Sequence, residues 1–190
     1  ELRLRDRAAD QAELRGARWS DPDIGQAQGV LPGCDPELDL GYAYKQSGFV
    51  DAVYGEAAPA VGFLLLRTPP GTGGVRGMTA YTSYLNGEDP QEPEQAHHYM
   101  VGLTASGEPM NDPGTGEPST LWYSGDPVSG TGWIADLGTN RKMMVSTGPF
   151  SLAPGQAESL VSAIVVGQGS DHLDGVRRLR EIAVEIRDRF

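Results

Sequence analysis

Apolar and polar residues alternate along several short segments of this chain. Every second residue from 38 to 44 is Leu or Tyr, which places four large side chains on one face of a β-strand. The run from 61 to 67 is almost continuously apolar and predicts a strand covered on both faces, near the centre of a sheet. Further strands are predicted at 78–85, 120–123, 142–146 and 159–166.

Turn residues separate these segments. Asn86-Gly87 closes the strand at 78–85, and Pro154-Gly155 fits the two central positions of a type II turn before the last strand. The Asp, Gly and Pro content between 19 and 36 predicts a long loop, and one short helical turn is predicted at 93–100. The 26 Gly and 14 Pro residues are spread among the apolar runs without a period, which indicates many short strands joined by turns.

The apolar period changes near the C-terminus. Apolar residues recur there at intervals of three and four, the pattern of an amphipathic helix; they are Leu173, Val176, Leu179, Ala183, Ile186 and Phe190. Ser170 or Asp171 can cap its first turn. Because the apolar stripe must be buried, we expect the helix to dock on the outer face of a sheet. The predicted fold class is mainly β, an antiparallel β-sandwich with long Gly/Pro-rich loops and a C-terminal amphipathic helix.

The length of 190 residues fits one domain. Within it, we expect residues 1–18 to form a charged edge segment, either a ragged edge strand or a short helix. Residues 19–169 are expected to form the sandwich core, and 170–190 the helix docked on the same domain. The chain begins at Glu1 without Met, from which we expect either a removed signal peptide or a longer parent chain.

The charge and hydropathy of the chain argue against two classes of partner. The 15 basic and 26 acidic residues give a formal net charge of −11, and a field of this sign repels nucleic-acid phosphates and anionic lipid head groups. The longest apolar stretch, 160–166, is much shorter than the roughly 20 residues of a membrane-spanning helix. We therefore expect no nucleic-acid partner and no membrane insertion.

Acidic residues crowd the Gly/Pro-rich stretch between 21 and 39. Calcium takes about six to eight oxygen ligands from flexible loops of this kind, so the stretch is a candidate calcium site. Its carboxylates are Asp21, Asp23, Asp35, Glu37 and Asp39. The alternating register of an EF-hand is absent, and the alternative interpretation is that these side chains cap turns. The candidate cofactor is therefore calcium, or none.

Three aromatic residues, Trp122, Tyr123 and Trp133, form a second candidate site. They could provide a platform on which a sugar ring stacks, with Asp126 as a polar ligand contact. Paired carboxylates are the requirement for glycoside hydrolysis, and Asp126 with Asp136 is the pair available here. The alternative is that the large aromatic residues are simply part of the sandwich core.

The sequence contains no recognisable catalytic motif. His97-His98 are adjacent and therefore cannot easily share a metal ion on a helix or a strand. Ser170, Asp171 and His172 are neighbours in sequence at a helix start, where capping explains Ser and Asp, and no Gly-x-Ser-x-Gly segment occurs. Cys34, the only cysteine, lies beside a carboxylate that raises its pKa, so we expect it to be buried and inert. No catalytic residue is predicted.

Several short stretches carry a resemblance to a known domain. In chain order they are WSDPDIG at 19–25, GCD at 33–35, LGYAY at 40–44, PAVGF at 59–63, YM at 99–100, SGDPV at 124–128, TGW at 131–133, STGPF at 146–150 and VVGQGSD at 165–171. Across about 19 to 190, the chain resembles a little-characterised domain of large secreted bacterial proteins, which often lies upstream of a type IX secretion sorting domain. The resemblance implies export and a modular context, and implies no particular reaction. Those relatives carry further Asp residues just before the GCD, where this chain has Gln26, Gln28, Gly29 and Val30.

Together these observations predict a noncatalytic structural or binding module of a larger secreted bacterial protein, stabilised by calcium if the acidic stretch binds it. The expected location is extracellular or at the cell surface. The expected partners are other domains of the same polypeptide, or a surface glycan or protein. Two alternatives remain open: a carbohydrate-binding or glycan-processing module, and a subunit of an extracellular assembly or filament that joins through exposed sheet edges.

Overall fold

The computed structural model describes residues 2–5, 11–74 and 76–190. The strands among them are β1 (Leu2–Arg5), β2 (Gln11–Ser20), β3 (Val30–Asp35), β4 (Leu40–Lys45), β5 (Ala60–Arg67), β6 (Ala80–Leu85), β7 (Arg141–Leu152) and β8 (Ala157–Gly167). The helices are α1 (Pro93–Met100) and α2 (His172–Arg189), with a short 3-10 turn at Thr72–Gly74. The strands form two antiparallel sheets, so the predicted mainly-β sandwich with a C-terminal helix is confirmed.

The larger sheet has five strands in the order β1-β8-β5-β4-β3. β5 lies between β8 and β4, which confirms the predicted central strand. Successive residues of β4 point to opposite faces of the sheet and so belong to two different clusters of buried side chains. Leu40, Tyr42 and Tyr44 belong to the cluster beneath α2, whereas Ala43 belongs to the core between the sheets.

The smaller sheet, β2-β7-β6, packs against the opposite face of β3 and β4. The sheets approach most closely at Gly41, where a Cβ atom would lie 2.4 Å from Val145 Cγ2 and 2.6 Å from Tyr81 Cε2. Only glycine leaves room for this contact. The Tyr81 hydroxyl donates a hydrogen bond to the carbonyl oxygen of Tyr42 at 3.0 Å, which joins the two sheets across the core.

Helix α2 docks on the outer face of the larger sheet, as expected from its apolar stripe. Val176, Leu179 and Ala183 are fully buried against side chains of β4, β5 and β8. The helix backbone meets β8 at Gly167, where a Cβ atom would lie 2.2 Å from the Leu179 nitrogen. The Asp171 carboxylate accepts the backbone N–H groups of Leu173 and Asp174, each at 2.9 Å, and so caps the helix. Neither α-helix in the described part of the chain is long and apolar enough to cross a membrane.

Two predicted segments are wrong. The stretch 19–36, expected to be a loop, contains β3, which pairs with β4 from Val30↔Lys45 to Asp35↔Leu40. Pro32 is tolerated there because β3 lies at the edge of its sheet, where one side needs no ladder hydrogen bond. The segment 120–123 does not form a strand, and makes one parallel bridge between Leu121 and Tyr81.

The N-terminal segment contributes one edge strand to each sheet. β1 pairs with β8, and β2 pairs with β7 and continues past the expected boundary at residue 18. Residues 1 and 6–10 of this segment lie outside the described residues. At the other end of the sandwich, Pro154-Gly155 forms the predicted turn, with a hydrogen bond from the Gln156 nitrogen to the Ala153 oxygen at 2.9 Å. This turn carries the chain from β7 in one sheet to β8 in the other.

Candidate functional site

A groove of about 670 Å³ opens between the end of β6, helix α1 and the long connection that follows it. The residues that line it fall within 83–91 and 104–110, and include Gln95 and Tyr99 of α1, the pair Trp122-Tyr123 and Arg141 at the start of β7. The segment 120–122 runs beside β6, since the Tyr81 nitrogen donates to the Thr120 oxygen at 2.9 Å and the Trp122 nitrogen to the Tyr81 oxygen at 3.0 Å. The sheet edge therefore fixes the position of one wall.

Two stacked tyrosines form the inner end of the groove. The rings of Tyr84 and Tyr99 lie 4.2 Å apart with an interplanar angle of 15°. The Tyr84 hydroxyl accepts a hydrogen bond from the Trp19 indole, and the Tyr99 hydroxyl donates one to the Glu88 carbonyl oxygen at 3.2 Å. Burial raises the pKa of Tyr84 to about 12 and raises that of Tyr99 above its usual value. Both tyrosines are therefore neutral at physiological pH.

Tyr123 forms the opposite wall in a strained backbone conformation. Its φ of 56° lies in the left-handed region, which a bulky residue rarely adopts and which costs on the order of 1–3 kcal/mol. The Cys34 nitrogen donates to the Tyr123 carbonyl oxygen at 3.1 Å, and the Trp133 ring centroid lies 5.2 Å from the tyrosine ring. Such strain persists where surrounding contacts hold it, and it often marks a functional site.

Arg141 lies over this tyrosine. Its guanidinium carbon is 5.8 Å from the Tyr123 ring centroid, within the range of a cation–π contact. Its Nε is buried without a hydrogen-bond acceptor, and no carboxylate among the described residues forms an ion pair with the guanidinium group. The arginine is thus held by packing, while its charge stays unneutralised.

The acidic residues at the groove mouth already have partners. The two carboxylate oxygens of Asp89 lie 2.6 and 2.7 Å from Lys142 Nζ. A carboxylate oxygen of Glu88 accepts the Leu85 backbone N–H at 3.1 Å. The Lys142 ammonium also lies 3.9 Å from Asp21 and 5.4 Å from the Trp19 ring centroid. These contacts hold Glu88, Asp89 and Lys142 in place at the groove mouth, and none of them involves Arg141.

The aromatic platform expected from the sequence is not formed. Trp122 and Trp133 are only 2% and 8% exposed, so neither ring offers a face on which a sugar could stack. The Trp122 indole instead donates a hydrogen bond to the Gly102 oxygen at 3.0 Å, as part of the core. Of the three predicted aromatics, Tyr123 keeps partial exposure and lines the groove. Asp136 is exposed, and Asp126 lines a separate cavity of about 450 Å³ beside Asp35.

The five carboxylates of the predicted calcium site are dispersed. Asp35 lies 3.1 Å from Arg180 Nε, and Asp39 lies 3.1 Å from Arg187 Nη2, so α2 supplies each with an arginine. Asp21 lies near Lys142 instead, while Asp23 and Glu37 are exposed. Among the described residues, no group of three or more His, Cys, Asp or Glu side chains is arranged to hold a metal ion.

Arg180 connects α2 to the surface turn at 126–131. Its Nη1 lies 2.6 Å from Asp126, its Nη2 donates to the Tyr42 hydroxyl at 3.3 Å, and its guanidinium carbon is 5.7 Å from the Tyr42 ring centroid. Burial acts to raise the pKa of Asp126, but hydrogen bonds from Ser129, Arg180 and Val128 outweigh it and lower this pKa to about 2. Asp126 is therefore ionised, and it serves to fix the helix.

The residues considered for catalysis are engaged in structural contacts. His98 Nδ1 lies 3.0 Å from the Ala105 carbonyl oxygen, and His97 is exposed at the other side of the helix turn. The Ser170 hydroxyl bonds to Asp174, and Asp171 caps α2, as predicted. Cys34 is fully buried, and burial followed by the Asp35 carboxylate raises the pKa of its thiol well above the usual range.

Most residues of the groove were not identified from the sequence, among them Tyr84, Tyr99 and Arg141. Tyr84 and Tyr99 were interpreted only as strand and helix packing, and their stacking depends on how α1 lies on the sheet. Arg141 gave no distinctive signal, since Arg5 and Arg67 also lie at strand ends. The sequence does not reveal whether a carboxylate lies near any of them.

Comparison with known proteins identified no relative of this chain. None of the protein-family models, curated proteins or solved structures with which the chain was compared matches it. The class of protein is thus defined by the fold and the groove alone: a two-sheet β-sandwich with a helix docked on its larger sheet.

Proposed function

We propose that this chain is a noncatalytic binding module of an extracellular bacterial protein, and that the groove beside α1 is its binding site. The observation that carries the proposal is the combination of an unpaired Arg141 with a strained Tyr123 in a groove of about 670 Å³. Small-molecule sites commonly measure roughly 300–1,000 Å³ and combine aromatic walls with a few placed polar groups. The groove has both properties.

The chemistry of the side chains supports binding over turnover. A nucleophile needs a base within hydrogen-bond reach and a third group that orients the base. Two candidates that line the groove have structural partners: the Ser83 hydroxyl donates to the Lys142 carbonyl oxygen at 2.9 Å, and Asp89 is paired with Lys142. Burial raises the pKa of Tyr84 and of Tyr99, so these two hydroxyl groups stay protonated and do not act as bases at physiological pH.

The extracellular location and the modular context rest on the resemblance to a domain of secreted bacterial proteins. A single buried cysteine and a strongly acidic surface are compatible with export. The expected partners are then neighbouring domains of the same polypeptide together with whatever ligand occupies the groove.

The binding proposal can be tested by NMR titration of the ¹⁵N-labelled chain. The probes are glucose, cellobiose, glucuronate and the dipeptide Gly-Gly, each titrated at constant ionic strength. We expect at least one probe to shift the backbone amides of residues 83–91 and 104–110 in a saturable way. A variant that fills the groove, Ser106→Trp, should lose these shifts, whereas Ser47→Trp, at an exposed position outside the groove, should keep them.

Two outcomes would contradict the proposal. If none of the four probes shifts the groove amides at concentrations up to about 50 mM, the groove is not a binding site for small polar ligands. If cellobiose or Gly-Gly is converted to products during incubation, as seen by chromatography, the module is catalytic.

One observation favours a second candidate function, a subunit of an extracellular assembly. β1 pairs with residues 157–160 only, so no described strand covers the outer edge of β8 from 161 to 167. Ile164 and Val166 on this stretch are 74% and 51% exposed, and the stretch carries no charged residue, although charges usually protect open edges.

The strand that pairs with this open edge would be β8 of a second copy, paired antiparallel. Light scattering at high protein concentration should then show a dimer that Ile164→Lys abolishes; a monomer throughout would refute this candidate.

A further inference from the structure

Arg141 differs from the arginines of α2 in having no carboxylate partner among the described residues. On α2, Arg177, Arg178 and Arg180 all form ion pairs with carboxylates at 3.1 Å or less. Arg141 forms none among the described residues, although the chain contains 26 acidic side chains and Glu88 and Asp89 line the same groove. An unpaired guanidinium group beside a concave surface is suited to bind an anion that comes from outside the chain.

The contact with Tyr123 defines how such an anion would bind. The guanidinium carbon lies 5.8 Å from the Tyr123 ring centroid, and a guanidinium group in a cation–π contact of this kind can still donate hydrogen bonds through its N–H groups. The two Nη atoms present parallel N–H donors in the plane of the group, and this fork matches the two oxygens of a carboxylate. Tyr123 cannot easily rotate away, because its backbone is fixed through Cys34 and its ring contacts Trp133.

The remaining polar groups of the groove are mostly neutral. The hydroxyls of Thr104 and Ser106 lie 3.0 Å apart on one side. Gln95 also lines the groove; its amide oxygen accepts the Gln91 and Glu92 backbone N–H groups, and its NH₂ group has no acceptor among the hydrogen bonds of the described residues. Neutral donors and acceptors of this kind suit hydroxyl groups on a ligand.

The acidic groups limit the number of charges that the ligand can carry. Asp89 is neutralised by Lys142, whereas the Glu88 carboxylate accepts the Leu85 backbone N–H and has no cationic partner among the described residues, so its negative charge remains at the groove mouth. The net charge of −11 adds a long-range repulsion against polyanions. A ligand with one carboxylate at Arg141 and an uncharged body near Glu88 avoids this repulsion.

We infer that the groove binds a saccharide with a single carboxylate, such as a uronic acid, with the carboxylate on Arg141 and the ring hydroxyls on Thr104, Ser106 and Gln95. This inference rests on the proposed function, since it assumes that the groove is the binding site. It adds the chemical class of the ligand and the residue that selects it.

The test compares glucuronate with glucose, which has the same ring with a neutral hydroxymethyl group in place of the carboxylate. Both are titrated into the ¹⁵N-labelled chain at matched ionic strength, and the dissociation constants are taken from groove amides. Because a charge-assisted pair is the difference, we expect glucuronate to bind about tenfold more tightly than glucose or better, tenfold corresponding to about 1.4 kcal/mol. In Arg141→Gln this ratio should fall to about twofold or less.

Two further variants keep the result interpretable. Arg178→Gln, at an exposed position on α2, removes the same charge away from the groove and should leave the ratio unchanged. If Arg141→Gln does not fold, Arg141→Lys keeps the positive charge but loses the planar fork, and we expect it to lose most of the preference for glucuronate.

The outcomes separate the inference from the function on which it rests. Equal affinity for glucose and glucuronate at the groove, or an unchanged ratio in a folded Arg141 variant, would overturn the carboxylate assignment while groove binding stands. Tighter binding of Gly-Gly than of glucuronate would overturn the saccharide assignment. If neither sugar nor dipeptide shifts the groove amides, the proposed function and this inference fail together.

Discussion

The docking of α2 on the larger sheet can be tested at Leu179. This side chain is 0% exposed and packs among residues of β4, β5 and β8. Leu179→Ala removes buried methyl groups and leaves a cavity, a change that costs about 2–5 kcal/mol in well-packed cores. Because the helix backbone is in contact with Gly167, it cannot move inward to fill the cavity, so we expect a loss of about 3 kcal/mol.

Urea denaturation followed by circular dichroism measures this loss. For a chain of this size, 1 kcal/mol corresponds to about 2–4 °C in Tm, so thermal unfolding should shift by roughly 6–12 °C. The matched control is Val184→Ala on the same helix, where the side chain is 43% exposed and the expected change stays within about 0.5 kcal/mol. A loss below about 1 kcal/mol in Leu179→Ala, or equal losses in both variants, would refute the packing described for α2.

Three further predictions concern charge and the thiol. Arg180→Met should destabilise the chain by about 1–3 kcal/mol at pH 6, since it leaves carboxylates unpaired. Because the folded pKa of Asp126 is lowered to about 2, its stabilisation is complete above its unfolded pKa of about 4 and is lost as pH falls toward 2. The gap between variant and wild type in urea denaturation should therefore shrink at pH 3; a constant gap contradicts the ion pair. Calcium should leave Tm unchanged relative to EDTA, because arginines already pair with Asp35 and Asp39, and a rise of several degrees would contradict this. Cys34 should react with a thiol reagent only after unfolding, and rapid reaction of the native chain would show that its burial is wrong.

The sequence correctly predicts those helices and strands whose apolar pattern reflects the face that is buried in the structure. The three- and four-residue period of α2 and the alternation in β4 each mark the face of the element that carries large apolar side chains. In the structure these two faces pack against each other in one buried cluster. β3 was missed because Pro32 and Gly33 resemble turn residues, and only the register against β4 shows that they occupy an edge strand. Edge position is a tertiary property that the local pattern does not contain.

The candidate sites were harder to predict because they depend on partners distant in sequence. Asp35 and Asp39 are close in sequence, which suggests that they bind one metal ion together. In the structure each is paired with a different arginine of α2. Trp122 and Tyr123 are adjacent, but the Trp122 ring is buried in the core, whereas Tyr123 has a left-handed backbone conformation and stays partly exposed at the groove. Neither the pairing nor the backbone conformation follows from residue type.

The strand pairing has a consequence for how this chain is made. β1 pairs with β8 and β2 pairs with β7, so the two N-terminal strands of this domain cannot pair until its C-terminal strands have been synthesised. β7 also joins β2 to β6, and the smaller sheet does not exist until it emerges from the ribosome. Contacts of such long sequence separation slow folding, since loop-closure entropy must be overcome first. Both sheets of this domain are therefore completed only once β7 and β8 are available, whatever local pairing of β3, β4 and β5 comes first.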